Sequence, residues 1–297
     1  MRRHDFAGPA DLRAMQEMCS RLWSPASRFH PGQLAWSRYY APVDAVRPRQ
    51  GEAMSLWQDD DGRLVGFGWA EADDWLELQV DPGRPEVAEE VLDWFEEWSD
   101  APSQSVMLMQ GDPAEQACRA AGFAPESPAA PFFRHHMLDL RELRPLPALA
   151  GYCLRHVEPD EAGARAVCHA AAWSDFGTSR VTGESYRALM AAWPYRADLD
   201  WVAVDENGQM VASALVWLDP STGVGLVEPV GCVPGHRGRG LAGAVTLAAL
   251  HALAEAGGRA AMVTPRGDAG YPGPMRLYQS LGFRPGHRTV TWIRSLG

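Results

Sequence analysis

His236-Arg237-Gly238-Arg239-Gly240-Leu241-Ala242-Gly243 is the densest chemistry in the chain. An apolar stretch runs into it and ends Gly231-Cys232-Val233-Pro234-Gly235. Behind it, apolar residues at Leu241, Val245, Ala248 and Ala252 fit one helix face, closed by Gly257-Gly258. The segment therefore reads as strand, glycine-rich turn, helix. Glycines let backbone N–H groups face a ligand with no Cβ in the way. The helix start adds unpaired donors and the positive end of the dipole. Arg237 and Arg239 bring charge suited to phosphate oxygens. By construction this is a cradle for a diphosphate.

Working outward, the same order of landmarks occurs twice. Asp205-Glu206-Asn207-Gly208 and Asp59-Asp60-Asp61-Gly62 are acidic turns, each followed by an alternating stretch, which is a hairpin signature. Each half then has a strand running into a Pro-Gly corner, at Val233-Pro234-Gly235 and at Asp81-Pro82-Gly83. A helix follows both corners; in the first half it carries Val87, Val91, Trp94, Phe95 and Trp98 on one face. Short apolar strands come next, Ala260 to Val263 and Val106 to Met109. Leu281-Gly282-Phe283 matches Ala121-Gly122-Phe123, and a last alternating strand, Thr289 to Ile293 or Phe132 to Leu140, is expected to close each half. The landmarks stand about 150 to 160 positions apart, too far for a solenoid. The expectation is an α/β protein of two duplicated domains, residues 1–142 and 151–297, with residues 143–150 as linker around Leu143-Arg144-Pro145-Leu146-Pro147.

Composition narrows the function. The chain has 297 residues, 46% hydrophobic and 22% charged, so it can build a sizeable core. Asp and Glu number 38 against 27 Lys and Arg, a formal net charge of -11, which disfavours nucleic acid as a partner. No apolar run is long enough for a membrane span, and the opening Met1-Arg2-Arg3 has no apolar stretch behind it, so no export signal is expected. Five cysteines without a CxxC pair read as reduced thiols of a cytoplasmic protein, and the nine scattered histidines show no ligand spacing, so no metal is expected.

The loop resembles that of the GCN5-related N-acetyltransferase (GNAT) superfamily, whose pattern is Arg or Gln, two free positions, Gly, one free position, then Gly or Ala. Arg237, Gly240 and Ala242 fit it. Cys232-Val233-Pro234 is similar to the family's strand end before the loop, and Leu277-Tyr278-Gln279-Ser280-Leu281-Gly282-Phe283 to its later helix-to-strand motif. The resemblance covers residues from about 152 to 297 and extends over the first half by topology. The tandem plan is similar to the type represented by mycothiol synthase. It implies two GNAT-like domains, each a mixed, mostly antiparallel sheet flanked by helices.

What the resemblance implies chemically is an acyltransferase with acetyl-CoA as cosubstrate, passing its acetyl group directly to a small-molecule primary amine in a ternary complex. Arg237, Gly238, Arg239, Gly240, Leu241 and Ala242 would hold the pyrophosphate, and Cys232 and Val233 the pantetheine arm. Tyr278 would protonate the departing thiolate, which suits a phenol of pKa about 10. Glu228, four residues before Cys232 among apolar neighbours, would take the amine proton, directly or through water. The sequence departs from the family at Tyr271, where Asn is common, and at Pro274, where Ala is common; prolines belong in a helix's first turn, so this helix is expected to start late.

The first half lacks this chemistry. Arg84-Pro85-Glu86-Val87-Ala88-Glu89-Glu90 has no glycine loop, its carboxylates would repel a pyrophosphate, and Cys118 stands where Tyr278 does. It is read as a degenerate copy. Trp173, Asp175, Phe176, Tyr186, Trp193, Tyr195 and Arg196 are candidates for the acceptor side or for packing. Arg266 and Asp268 either face the acceptor or pair with each other. Two rival readings remain at this level: a non-catalytic acyl-CoA sensor, and an NADP-binding protein, since Gly238 to Gly243 also spells GxGxxG.

Overall fold

The computed structural model describes residues 1–44 and 46–296; Ala45, inside the first expected domain, and Gly297, the end of the second, lie outside the described residues. The first half runs β1 (Arg2–Asp5), α1 (Pro9–Leu22), α2 (Pro31–Tyr39), β2 (Ala53–Gln58), β3 (Leu64–Ala72), β4 (Trp75–Val80), α3 (Val87–Trp98), β5 (Ser103–Met109), α4 (Glu115–Ala120), β6 (Ala124–Pro125) and β7 (Arg134–Asp139). The second runs β8 (Tyr152–His156), α5 (Ala162–Ala172), α6 (Gly183–Met190), β9 (Asp200–Asp205), β10 (Met210–Asp219), β11 (Val224–Cys232), α7 (Leu241–Glu255), β12 (Ala260–Val263), α8 (Pro272–Ser280) and β13 (Arg284–Ser295).

The two acidic turns use one chemistry. The Asp59 carboxylate accepts from the N–H groups of Asp61 and Arg63, and the Asp205 carboxylate from those of Asn207 and Gln209. These side-chain turns join β2 to β3 and β9 to β10 as antiparallel hairpins. Prolines open α8 at Pro272, as its displaced start required. Unlike a one-faced amphipathic helix, α7 is buried from Ala244 through Leu250, because it lies deep against β9, β10 and β11.

The strands form one continuous sheet in the order β1-β2-β3-β4-β5-β13-β7-β12-β11-β10-β9-β8, with β6 set against β13. All pairings are antiparallel except β4 with β5 and β11 with β12. The closing strands are exchanged, which corrects the expectation that each half closes itself. β7, from the first half, pairs with β12, and the far part of β13 (Thr289 to Ser295) pairs with β5. The near part of β13 pairs with β7 and joins the two sheets.

Four apolar clusters fill the layers. Two cover the faces of the first sheet, one under α3 and one under α1. A third lies between α7 and the second sheet. The fourth is shared: Ala35 of α2 packs with Ala166 of α5, Tyr186 of α6, Trp217 of β10 and Leu226 of β11. Helix α2 thus belongs by sequence to the first half and packs on both, with Leu34 in the cluster under α1 and Ala35 in the shared one. Gly32 makes this possible, since a Cβ there would lie 2.1 Å from Trp217 Cβ. A larger residue would force the helix off, at a cost of about 1 to 3 kcal/mol.

Candidate functional site

The splay between β11 and β12 organises the site. Their parallel pairing covers only Val224 to Leu226, opposite Ala260 to Met262. From Val227 to Cys232, β11 pairs with β10 alone, so its other edge is left to a ligand or solvent. The register of β10 with β11 slips between Ala214–Val230 and Val216–Val227, a bulge that places Glu228 and Pro229 opposite Leu215. Trp217 Nε1 donates to the Glu228 carbonyl at 2.6 Å and fixes the bulge from below.

Beyond Cys232 the chain makes a short 3-10 turn, Pro234–His236, and then the glycine loop. Gly238 and Gly240 have φ of +76° and +79°, the left-handed region that suits glycine. This conformation aims consecutive N–H groups outward. Those of Gly238 through Gly243 donate to no acceptor among the described residues. The first helical bond runs from Ala244 N–H to Gly240 C=O. Six adjacent amides at the start of α7, just beyond the splayed end of β11, are thus unpartnered among the described residues.

Both arginines of the loop make hydrogen bonds within the protein. Arg237 Nε donates to the Cys232 carbonyl at 3.0 Å, Nη2 to the Ala172 carbonyl at 2.9 Å, and Nη1 to Asp175. Its guanidinium is occupied by three protein acceptors and braces the loop against α5. The side chain remains 42% exposed beside the loop. Arg239 Nη1 donates to Tyr152 Oη at 2.9 Å, which also meets His236 Nδ1 at 3.0 Å. Leu241 is buried and Ala242 partly so, and the amides of both lack a protein acceptor among the described residues. Cys232 is half-buried and Val233 N–H is taken by the Val211 carbonyl.

Glu228, on β11, and Tyr278, on α8, lie close enough for the charge of the first to act on the second. Burial pushes the Glu228 carboxyl up to about 7, opposed by the charge of Arg28. Tyr278, from α8, is 7% exposed; burial, and then the Glu228 charge, push its phenol up. Glu228 makes no ion pair among the described residues. A carboxyl at about 7 is suited to exchanging protons at neutral pH.

The other candidates sort clearly. Tyr186 and Tyr195 both bond the buried Asp200, which also pairs with Arg165 at 3.0 Å, so they are core. Arg196 pairs with Asp198, and Arg266 with Asp268 at 2.7 Å. Arg13 lies 3.6 Å from the centre of the Trp193 ring, at the junction of the halves. Trp173, Phe176 and Tyr271 stay partly exposed and touch in series near the loop. Two surface hollows, of about 390 and 300 Å³, lie away from the splay, one by Arg187 and Met190, the other by Asp139 and Arg284.

The first half builds the same corner without the donors. Asp81 takes the Gly83 and Arg84 N–H groups, and Val87 and Ala88 N–H are taken by Arg84 and Pro85 carbonyls. Glu89 and Glu90 occupy the first turn of α3. Sequence reasoning missed the buried ion pair of Arg28 with Glu77. A faint signal existed: Arg28 precedes the helix cap His30 by two residues, as Arg180 precedes the cap Thr182.

Residues 166–283 match the Acetyltransferase (GNAT) family. The match covers less than half of the chain, and over its whole length the chain has the fold of tandem GNAT proteins. It is similar to a tandem GNAT protein from the clavulanic acid biosynthesis pathway at 19% identity and a TM-score of 0.65, covering 100% of this chain and 98% of that one. It is also similar to a GCN5-related N-acetyltransferase from Sphaerobacter thermophilus, at 20% identity and a TM-score of 0.61, covering 99% and 96%. A GNAT-family acetyltransferase from Colwellia psychrerythraea gives 13% identity, a TM-score of 0.60 and 99% coverage of both chains. No curated protein matches the sequence.

Proposed function

We propose that the protein is an acetyl-CoA-dependent N-acetyltransferase with one active site, in the second half. The observation that carries this reading is the row of six unpartnered amides at the start of α7, set beside the β11–β12 splay. A diphosphate would take those N–H groups, and the dipole of α7 would favour its charge. The pantetheine arm would lie along the free edge of β11, past Val233 and Cys232, and bring the thioester toward Glu228 and Tyr278.

The chemistry follows from the two side chains. Glu228 accepts a proton from the acceptor amine, directly or through water. The amine nitrogen attacks the thioester carbonyl and the C–S bond breaks. Tyr278 gives its proton to the thiolate of CoA. Each group ends in the state opposite to its start, and exchange with solvent resets both. The acceptor is a small primary amine, and the five free thiols fit a reducing cytoplasm.

The NADP reading is disfavoured by the sheet, which has only two parallel contacts in place of repeated βαβ units. Among the described residues no group of three His, Cys, Asp or Glu could hold a metal ion, and no helix is long and apolar enough to cross a membrane. The test is calorimetry with acetyl-CoA and with NADPH, followed by an amine panel monitored for free thiol. Binding of acetyl-CoA with thiol release on one amine class supports the reading. Binding of NADPH alone would end it, and tight acetyl-CoA binding with no release on any amine would favour the sensor.

A further inference from the structure

Five rings touch in series beside the second sheet. Trp36 of α2 meets His169 of α5 edge-on, with ring centres 5.2 Å apart, and His169 stacks on Trp173 at 5.7 Å. Trp173 meets Phe176 at 5.6 Å, and Phe176 meets Tyr271 edge-on at 5.5 Å. Packing fixes the rear of the series: Trp36 lies against the shared apolar cluster, and His169 is buried. Burial, joined by the charge of Arg165, pushes the His169 imidazole down to about 3, so it stacks as an uncharged ring. The front is open. Trp173, Phe176 and Tyr271 are 37%, 61% and 38% exposed.

Two contacts tie the open rings to the candidate site. A Cβ on Gly231 would lie 2.8 Å from Ala172 Cβ and 3.3 Å from Trp173 Nε1, so only the bare backbone of β11 admits Trp173 this closely. Gly231 stands three residues beyond Glu228 on the same strand. Tyr271 immediately precedes α8, seven positions before Tyr278. The open rings therefore run from the strand that carries Glu228 to the helix that carries Tyr278. The charged groups beside them are already paired. Asp175, between Trp173 and Phe176 in the chain, pairs with Arg237. Asp268 pairs with Arg266 at 2.7 Å and accepts from the Gly270 N–H at 3.0 Å.

We infer that Trp173, Phe176 and Tyr271 hold the non-reacting part of the acceptor, and that the acceptor is a primary amine carrying an aromatic ring. This rests on the reading of the second half as an N-acetyltransferase. Adjoining apolar side chains left open beside a site mark where a ligand covers them. Edge-to-face and offset packing on such rings favours another ring over an alkyl chain. A second cationic group could also sit on an aromatic face, but the two carboxylates that would help to hold it are taken by Arg237 and Arg266.

The test follows thiol release at saturating acetyl-CoA with phenethylamine, hexylamine and putrescine as acceptors. Phenethylamine should give the highest kcat/KM, by about 10-fold. Phe176→Ala should raise its KM about 3- to 10-fold with kcat nearly unchanged, and should raise the KM for hexylamine less. Phe176→Tyr should keep the unaltered KM. Tyr271→Leu, which keeps apolar bulk and removes a ring, should raise the KM for phenethylamine alone. Both side chains are solvent-exposed, so the urea midpoints should match that of the unaltered protein. Calorimetry of N-acetylphenethylamine on the CoA-bound protein should show the same weakening without turnover. Equal KM rises for phenethylamine and hexylamine, an unmoved KM in both Phe176→Ala and Tyr271→Leu, or a preference for putrescine would overturn this inference and leave the transferase reading standing. If no amine released thiol, that reading would fall, and this inference with it.

Discussion

Replacing Glu228 by Gln should make the protein more stable at alkaline pH while impairing its chemistry. The carboxyl rises from 4.5 to about 7 on folding, through burial. A carboxyl raised in the folded state helps folding fully below the unfolded value, and that help is lost as pH rises through the folded value. Ionising it in place therefore costs the native state about 3 kcal/mol above pH 7. Gln has nearly the same shape and no charge to desolvate. Urea unfolding followed by tryptophan fluorescence at pH 5 and pH 8.5 separates the terms. Near pH 5 the variant should gain less than about 1 kcal/mol, and at pH 8.5 about 3 kcal/mol. The Trp217 bond to the Glu228 carbonyl survives the change, so backbone geometry is not in play. A gain that is the same at both pH values, or a loss at pH 8.5, would refute a desolvated base at this position.

Tyr278→Phe should slow turnover by a factor of about 10 to 100 and leave acetyl-CoA affinity nearly intact, read as kcat against the calorimetric Kd. Gly240→Ala, at a φ of +79° with open space around the missing Cβ, should strain the loop by about 1 kcal/mol and weaken CoA binding several-fold, seen by calorimetry. Proteolytic nicking within the exposed residues 144–148 should leave both fragments together on gel filtration without denaturant, because each sheet holds the other's strand; separation would contradict the exchange.

Local chemistry was legible in the sequence. The acidic turns, the loop that opens α7 and the proline start of α8 each depend on a few adjacent residues, and each appears where the residue types put it. Strand partners were not legible. The alternation in Phe132 to Leu140 and Thr289 to Ile293 says which face of a strand is buried, not which sheet it enters. The fate of Arg237 was hidden for a similar reason: its acceptors at Ala172 and Asp175 are distant in sequence. The pair of Arg28 with Glu77 was hidden too, since its members lie 49 positions apart and on different elements.

The traded strands turn one polypeptide into something close to an obligate heterodimer whose subunits are tethered. Shortening the chain at its tail removes the insert from the front sheet, and deleting the front removes the wedge beside β12. Each half is thus scaffolding that the other cannot shed, and engineering either one in isolation means first giving it back its own last strand.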